Sequence, residues 1–319
     1  MARIVTCPRA QILLSACALV CAQAIPVFGE PAETGSVKMT AAASARVEAA
    51  SKPASAVPAK SDTASKPTCD RGAFRVVIDV GHTAGKPGAT SARGAYEYEF
   101  NLKLATLIDE KLRAAGFDKT TLLITKDTPY YAGLFKRAAR AQAVSADLFL
   151  SIHHDSVPDS FLQKWEYQGV QRSYSDRFKG HSIFISKDNG DYRSSLMFAK
   201  QLGQQLKDRG LKYTPHYTEK FMGHRQRILV DADVGVYRYD QLIVLRNNHV
   251  PAVLLEAGSI INRDEELQMA SPARRGVIGA AAVAAVENYC AERSPTTRSV
   301  ERPATRSADR RQAGSGRRR

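Results

Sequence analysis

The sequence predicts an α/β fold: a single twisted, mostly parallel sheet with helices on both faces. Three observations predict it. Short β-rich runs alternate with longer helical stretches between Phe74 and Ala291. The runs "FRVVID" and "AVLLE" are almost continuously apolar, as strands covered on both faces should be. Gly116 and Gly210 stand just past two helical stretches, where a left-handed C-cap is favoured.

The elements follow in chain order. The first strand, over 74–79, is the run "FRVVID". A helix over 97–115 opens on Glu97, favourable in a first turn, and stops before Gly116. "TTLLIT" makes a strand over 120–125, and a helix over 134–143 leads to the strand "LFLSI" over 148–152. "SIFIS" supplies the strand over 182–186, and the helix over 194–209 ends before Gly210. A helix over 239–246 precedes the last strand, "AVLLE" over 252–256, and helices over 265–270 and 271–291 close the domain. No internal repeat is present.

The flanks differ in composition. Residues 1–29 read as a secretory leader: Arg3 and Arg9 precede an apolar run from Ile12 to Ala24, too short to span a bilayer and closed by Ala22-Gln23-Ala24. "LSAC" around Cys17 matches a lipidation box, but the run continues past Cys17, which suits simple cleavage better. Residues 30–68 are rich in Ala, Ser, Pro and Lys and read as a disordered linker. Residues 69–291 suffice for one well-packed catalytic domain, and 292–319 read as a disordered basic tail. The chain is expected to be periplasmic or secreted.

The net charge is +14 over 319 residues, with nine arginines from Ala291 onward against Glu292, Glu301 and Asp309. The tail is expected either to be simply solvated or to contact an anionic envelope polymer or membrane surface. No interleaved aromatic and basic pattern suggests nucleic acid. Beyond the leader only Cys69 and Cys290 remain, one at each end of the domain. In an oxidising compartment a bridge between them is expected, worth up to about 4 kcal/mol; two free thiols are the alternative.

Strand ends carry the chemistry. Asp79 and His82 end the first strand, His153, His154 and Asp155 another, and Glu256 the last, with Glu97 and Glu99 opening the first helix. Ligands of open α/β sheets bind at such carboxyl ends. A catalytic zinc needs about three N or O ligands and an open position for water, with a further carboxylate to accept the water's proton. Singly, each residue has a plainer reading: His82 as a turn cap, Glu97 as a first-turn acid, Glu256 as a paired core carboxylate. Jointly, four coincidences at strand ends or a helix start favour a metal hydrolase.

The stretch "VVIDVGHTAGKPGATSARGAYEYEFNLKLA" resembles the opening of the zinc-dependent N-acetylmuramoyl-L-alanine amidases of type 3. "SADLFLSIHHDS" resembles that family's second histidine segment, and "LIVLRNNHVPAVLLEAGSIINRDEE" its closing stretch. The resemblance runs in order from Phe74 to Tyr289. It implies His82, Glu97 and His153 as ligands of one Zn2+ ion, and Glu256 as the catalytic carboxylate. Glu97 is preferred to Glu99 because it stands four residues before Asn101. The implied reaction is hydrolysis of the amide joining N-acetylmuramic acid to L-alanine in peptidoglycan, which releases stem peptides. An activator protein and a monomeric state are expected.

Val80 replaces the family's usual Pro, and Ser259 a usual Phe; both read as packing variation. Two long excursions, 157–180 and 211–240, are expected to wall the groove and select substrate, or to hold a regulatory segment over the metal. The alternatives are another zinc peptidase or deacetylase of the cell wall, or an inactive wall-binding module. "GHTAGKPG" lacks the spacing and the Ser or Thr of a phosphate-binding loop.

Overall fold

The apolar runs become the centre of a seven-stranded sheet in a computed structural model of the chain, which describes residues 68–293. The predicted leader, almost all of the linker and all but the first residues of the tail lie outside the described residues. In chain order the first half comprises β1 (Val76–Val80), α1 (Glu97–Ala114), β2 (Thr120–Leu123), α2 (Tyr130–Ala143) and β3 (Leu148–Asp155). A hairpin of β4 (Gln163–Tyr167) and β5 (Val170–Tyr174) follows, then β6 (Ser182–Ile185) and α3 (Tyr192–Asp208). The last elements are β7 (Ile228–Asp231), β8 (Val236–Arg238), α4 (Ile243–Arg246), β9 (Ala252–Ser259), α5 (Arg263–Ala270) and α6 (Pro272–Arg293).

The sheet order is β2-β1-β3-β9-β6-β8-β7, and β4 and β5 form a separate pair. Pairing is parallel from β2 through β1 and β3 to β9, and again between β6 and β8. It is antiparallel where β6 meets β9 and where β7 meets β8. The mostly parallel sheet is therefore as predicted.

Alternation along β1 sorts its residues onto the two faces. Val76, Ile78 and Val80 join the larger core under α1, α3 and α6, with Leu104, Ile108, Phe198 and Ala282 fully buried there. Val77 faces the smaller core under α2 and α4, with Phe149, Leu254 and Leu245. Covered on both faces, these strands read as unbroken apolar runs. α1 carries Glu97 and Glu99 in its first turn and Lys111 and Arg113 in its last, matching the helix dipole.

The structure corrects the sequence reading in two places. The helix predicted over 239–246 shrinks to α4, because Tyr239 N–H bonds Ile185 O and so prolongs the β8 pairing. The two excursions are not bare loops. The first holds the β4–β5 hairpin, and the second supplies β7 and β8 at the sheet's edge.

Cys69 and Cys290 are bonded, with Cα atoms 5.1 Å apart, which ties the approach to β1 to the last turns of α6. The bridge closes a sequence separation of 221 residues. Replacing both cysteines by serine is expected to lower the unfolding free energy by about 2–5 kcal/mol. Urea unfolding of the oxidised protein and the double variant measures it, and coincident midpoints would deny the bridge a stabilising role.

Candidate active site

The site is built where β1, β3 and β9 end. Asp79 lies on the α2 side of β1, fully buried, and a buried charge there needs a partner. Arg137 of α2 supplies it, with Nη1 2.6 Å from Asp79 Oδ1, while Ser151 Oγ donates to Asp79 Oδ2 at 2.7 Å. The same guanidinium donates to the carbonyls of Val80 and His82. It thereby fixes the turn in which His82 takes φ +66°, a left-handed conformation costly for a residue with a Cβ.

Three predicted residues converge. His82 Nε2 lies 3.0 Å from Glu97 Oε2, and His153 Nδ1 lies 3.0 Å from Glu97 Oε1. The two imidazole rings meet edge-on with centroids 4.9 Å apart. Gly81 permits the approach: a methyl group there would stand 2.4 Å from His153 Nε2. Donor atoms of His82, Glu97 and His153 all lie within 4.8 Å of one another. Two nitrogens and a carboxylate oxygen from three separate elements match the donor set of a catalytic metal centre, so these residues could hold such an ion. Glu99, the neighbouring acid, is exposed, whereas Glu97 is buried.

Glu97 is held from several directions. Its Oε1 also accepts from Asn101 Nδ2 at 3.1 Å, and its Oε2 from the Ala89 N–H at 3.0 Å. Burial alone would push its carboxyl up, but hydrogen bonds from His153 and His82, with their charge, hold it well below the usual range. Asn101 Nδ2 also reaches Gly81 O at 3.2 Å, and Asn101 Oδ1 lies 2.8 Å from His154 Nδ1. His154 is buried, which lowers its pKa to about 3 and keeps it neutral. It therefore braces Asn101 rather than joining the donor cluster.

Glu256 pairs in register with His153 on the neighbouring strand. It faces a cavity of about 420 Å³ that His82, His153, Leu134 and Leu242 also line. Its Oε2 is buried without a hydrogen-bond partner among the described residues. Burial first, then the charges of Asp155 and Glu97, push this carboxyl well above its ordinary value. Asp155, raised to about 7 chiefly by burial, accepts a 2.8 Å hydrogen bond from Tyr217 OH.

The sequence reading thus named the four side chains that gather here and missed those that hold them. Arg137 carried a readable signal: it lies among Leu134, Ala138 and Ala141 on the buried face of α2, where a cation needs an acid opposite. Tyr217 had none. Of the two excursions, 211–240 reaches the cavities beside Glu256 through Tyr217, Arg227 and Tyr239, while 157–180 lines neither. The β4–β5 hairpin instead clamps the turn before α1. Trp165 Nε1 donates to Ala92 O at 3.0 Å, and Arg93 stacks over Trp165 while pairing with Glu266 at 2.7 Å. At the two substituted positions Val80 is fully buried, and Ser259 is buried with its N–H bonded to Glu265 Oε2 at 2.9 Å and its hydroxyl without a partner among the described residues.

Residues 76–288 match the family described as N-acetylmuramoyl-L-alanine amidase. The chain is 24% identical over 222 residues to the "Probable N-acetylmuramoyl-L-alanine amidase AmiB" of Haemophilus influenzae, covering 63% of this chain and 48% of that protein. It is 26% identical over 230 residues to the "Probable cell wall amidase LytH" of Staphylococcus saprophyticus, covering 72% and 61%. It therefore spans about half to three fifths of those two relatives. Among solved structures, the N-acetylmuramyl-L-alanine amidase Ami1 of Mycobacterium smegmatis aligns with a TM-score of 0.53 at 18% identity, over 70% of this chain and 99% of that one, a likeness of fold.

Proposed function

The chain belongs to the N-acetylmuramoyl-L-alanine amidase family, and from that premise we propose that it is a zinc-dependent hydrolase of peptidoglycan. It cuts the amide between the lactyl group of N-acetylmuramic acid and L-alanine, and so frees the stem peptide. The observation that carries the reading is the meeting of His82, Glu97 and His153 beside Glu256, on one cavity.

His82, Glu97 and His153 would hold a single Zn2+ ion, the donor set being that of zinc hydrolases. When bound, such an ion lowers the pKa of its water toward neutrality and polarises a carbonyl. Glu256 accepts the proton of the attacking water and returns it to the nitrogen of the departing L-alanine. Burial and the neighbouring carboxyls raise its affinity for that proton. Asn101 keeps the Glu97 carboxylate turned toward the two histidines, and Arg137 keeps His82 in its unusual turn.

Export belongs to the same proposal. The leader-like N-terminus and the Cys69–Cys290 bridge support an oxidising, extracytoplasmic setting. In that setting the basic tail meets anionic envelope polymer or membrane surface, the domain acts as a monomer, and an activator protein governs it.

The test is digestion of purified peptidoglycan with and without chelator. The expected products are stem peptides with a new L-alanine amino terminus, absent when metal is stripped and restored by Zn2+. Cuts inside the peptide would make the enzyme a peptidase, and no release under any metal condition would leave only a wall-binding module.

A further inference from the structure

Glu256 stands on the partition between two cavities. Besides the one it shares with His82 and His153, it lines a second, of about 350 Å³. Tyr239, Gln241, Leu242 and Leu254 are common to both. Both volumes fall in the range of small-ligand sites, roughly 300–1,000 Å³. A substrate cut at this partition would extend one arm into each.

The cavities differ in their cations. In the first, Arg137 is bound to Asp79, and Lys86 Nζ donates to Thr128 O at 3.1 Å. In the second, the wall supplied by the 211–240 excursion carries His224, Arg225 and Arg227. Among the described residues neither Arg225 nor Arg227 pairs with a carboxylate. The Arg227 guanidinium lies over the Tyr239 ring at 3.6 Å, donates to the carbonyls of His224 and Gln226, and keeps a buried Nε without a partner among the described residues. Arg225 is exposed at the mouth. The cavity's own acids do not neutralise this pair: Asp155 is engaged by Tyr217, and Glu256 stands at the partition.

We infer that the second cavity seats the peptide arm of the substrate, with Arg225 and Arg227 receiving the free carboxylate carried by the residue after the leaving alanine. This deepens the amidase reading and rests on it. The uncharged sugar and lactyl arm takes the first cavity, whose buried guanidinium is already paired with Asp79. Two forked guanidinium groups are suited to a carboxylate, which they can grip through paired N–H donors. The 211–240 excursion is then a specificity element that selects acidic stem peptides over amidated ones.

The experiment titrates two dipeptides into the zinc-loaded protein by calorimetry: L-alanyl-D-glutamate, and the same dipeptide with both carboxylates amidated. The acid is expected to bind about tenfold tighter than the diamide. In the Arg225→Gln/Arg227→Gln variant that ratio is expected to fall toward one. Attraction of a carboxylate to the metal alone would leave the ratio standing in the variant, and this outcome overturns the inference, as does equal affinity of the wild type for both dipeptides. Arg225→Gln alone, at the exposed mouth, is expected to lower the ratio part of the way, and it decides the matter if the double variant fails to fold. Because binding is read without turnover, discrimination between the dipeptides with no release from peptidoglycan would overturn the proposed reaction and leave this subsite in place.

Discussion

Replacing Glu256 with glutamine is expected to leave metal binding intact and to cut turnover of peptidoglycan by about a thousandfold. Glutamine keeps the shape of the side chain on β9 but cannot accept a proton from water. The loss corresponds to about 4 kcal/mol of transition-state stabilisation. Glu256 lies outside the His82, Glu97 and His153 cluster, so the bound ion should remain. Its position argues for the role: it is in register with His153, opens on the same cavity, and keeps Oε2 without a hydrogen bond among the described residues. The measurement pairs metal content with the rate of release of L-alanine amino termini. A rate within tenfold of wild type would move the proton transfer to another acid, and a lost ion would make Glu256 a ligand.

The second large effect is expected at His153. His153→Ala removes one of the three donor atoms and is expected to weaken zinc binding by more than about a hundredfold, since losing even an outer partner of a metal ligand costs 10–100-fold. Turnover should vanish with the ion. The imidazole stands against Gly81 and gives Glu97 one of its two histidine contacts. Without it, Glu97 loses the leading hydrogen bond that keeps its carboxyl low. Titration against a competing chelator reads the affinity, and far-ultraviolet circular dichroism verifies the fold. A folded variant that keeps wild-type zinc affinity would exclude His153 from the metal site.

Different parts of the molecule were legible in the sequence for different physical reasons. β1, β3 and β9 are buried on both faces, so hydrophobicity alone marks them, and the polar residues closing them mark the site. β7 and β8 lie at the edge and outer flank of the sheet, and "ILVD" and "VYR" are too short to stand out from a loop rich in charge. The hairpin was legible in principle. "KWEY" and "VQRS" flank Gln168-Gly169, which adopt φ +53° and +73°, the two-residue turn that antiparallel ribbons prefer. The brackets around the donor cluster were harder to see. Asn101 and His154 act through one contact between residues 53 apart, and Arg137 through contacts to residues 55 to 58 positions away. Such pairs exist only once α1, α2 and the sheet are assembled.

The reversal of β6 has a consequence for how such an enzyme can diversify. β3 finishes beside β9 at the end of the sheet where Glu256 sits, and β6 begins at that same end, with Ser182 opposite Glu256. The chain between them never has to cross the sheet, so its length is unconstrained by any helix that must span the domain. Doubling such a segment costs only about 0.6 kcal/mol of closure entropy. Insertions and deletions there can reshape the hairpin that braces the turn before α1 over generations, while β3 and β9 keep their alignment.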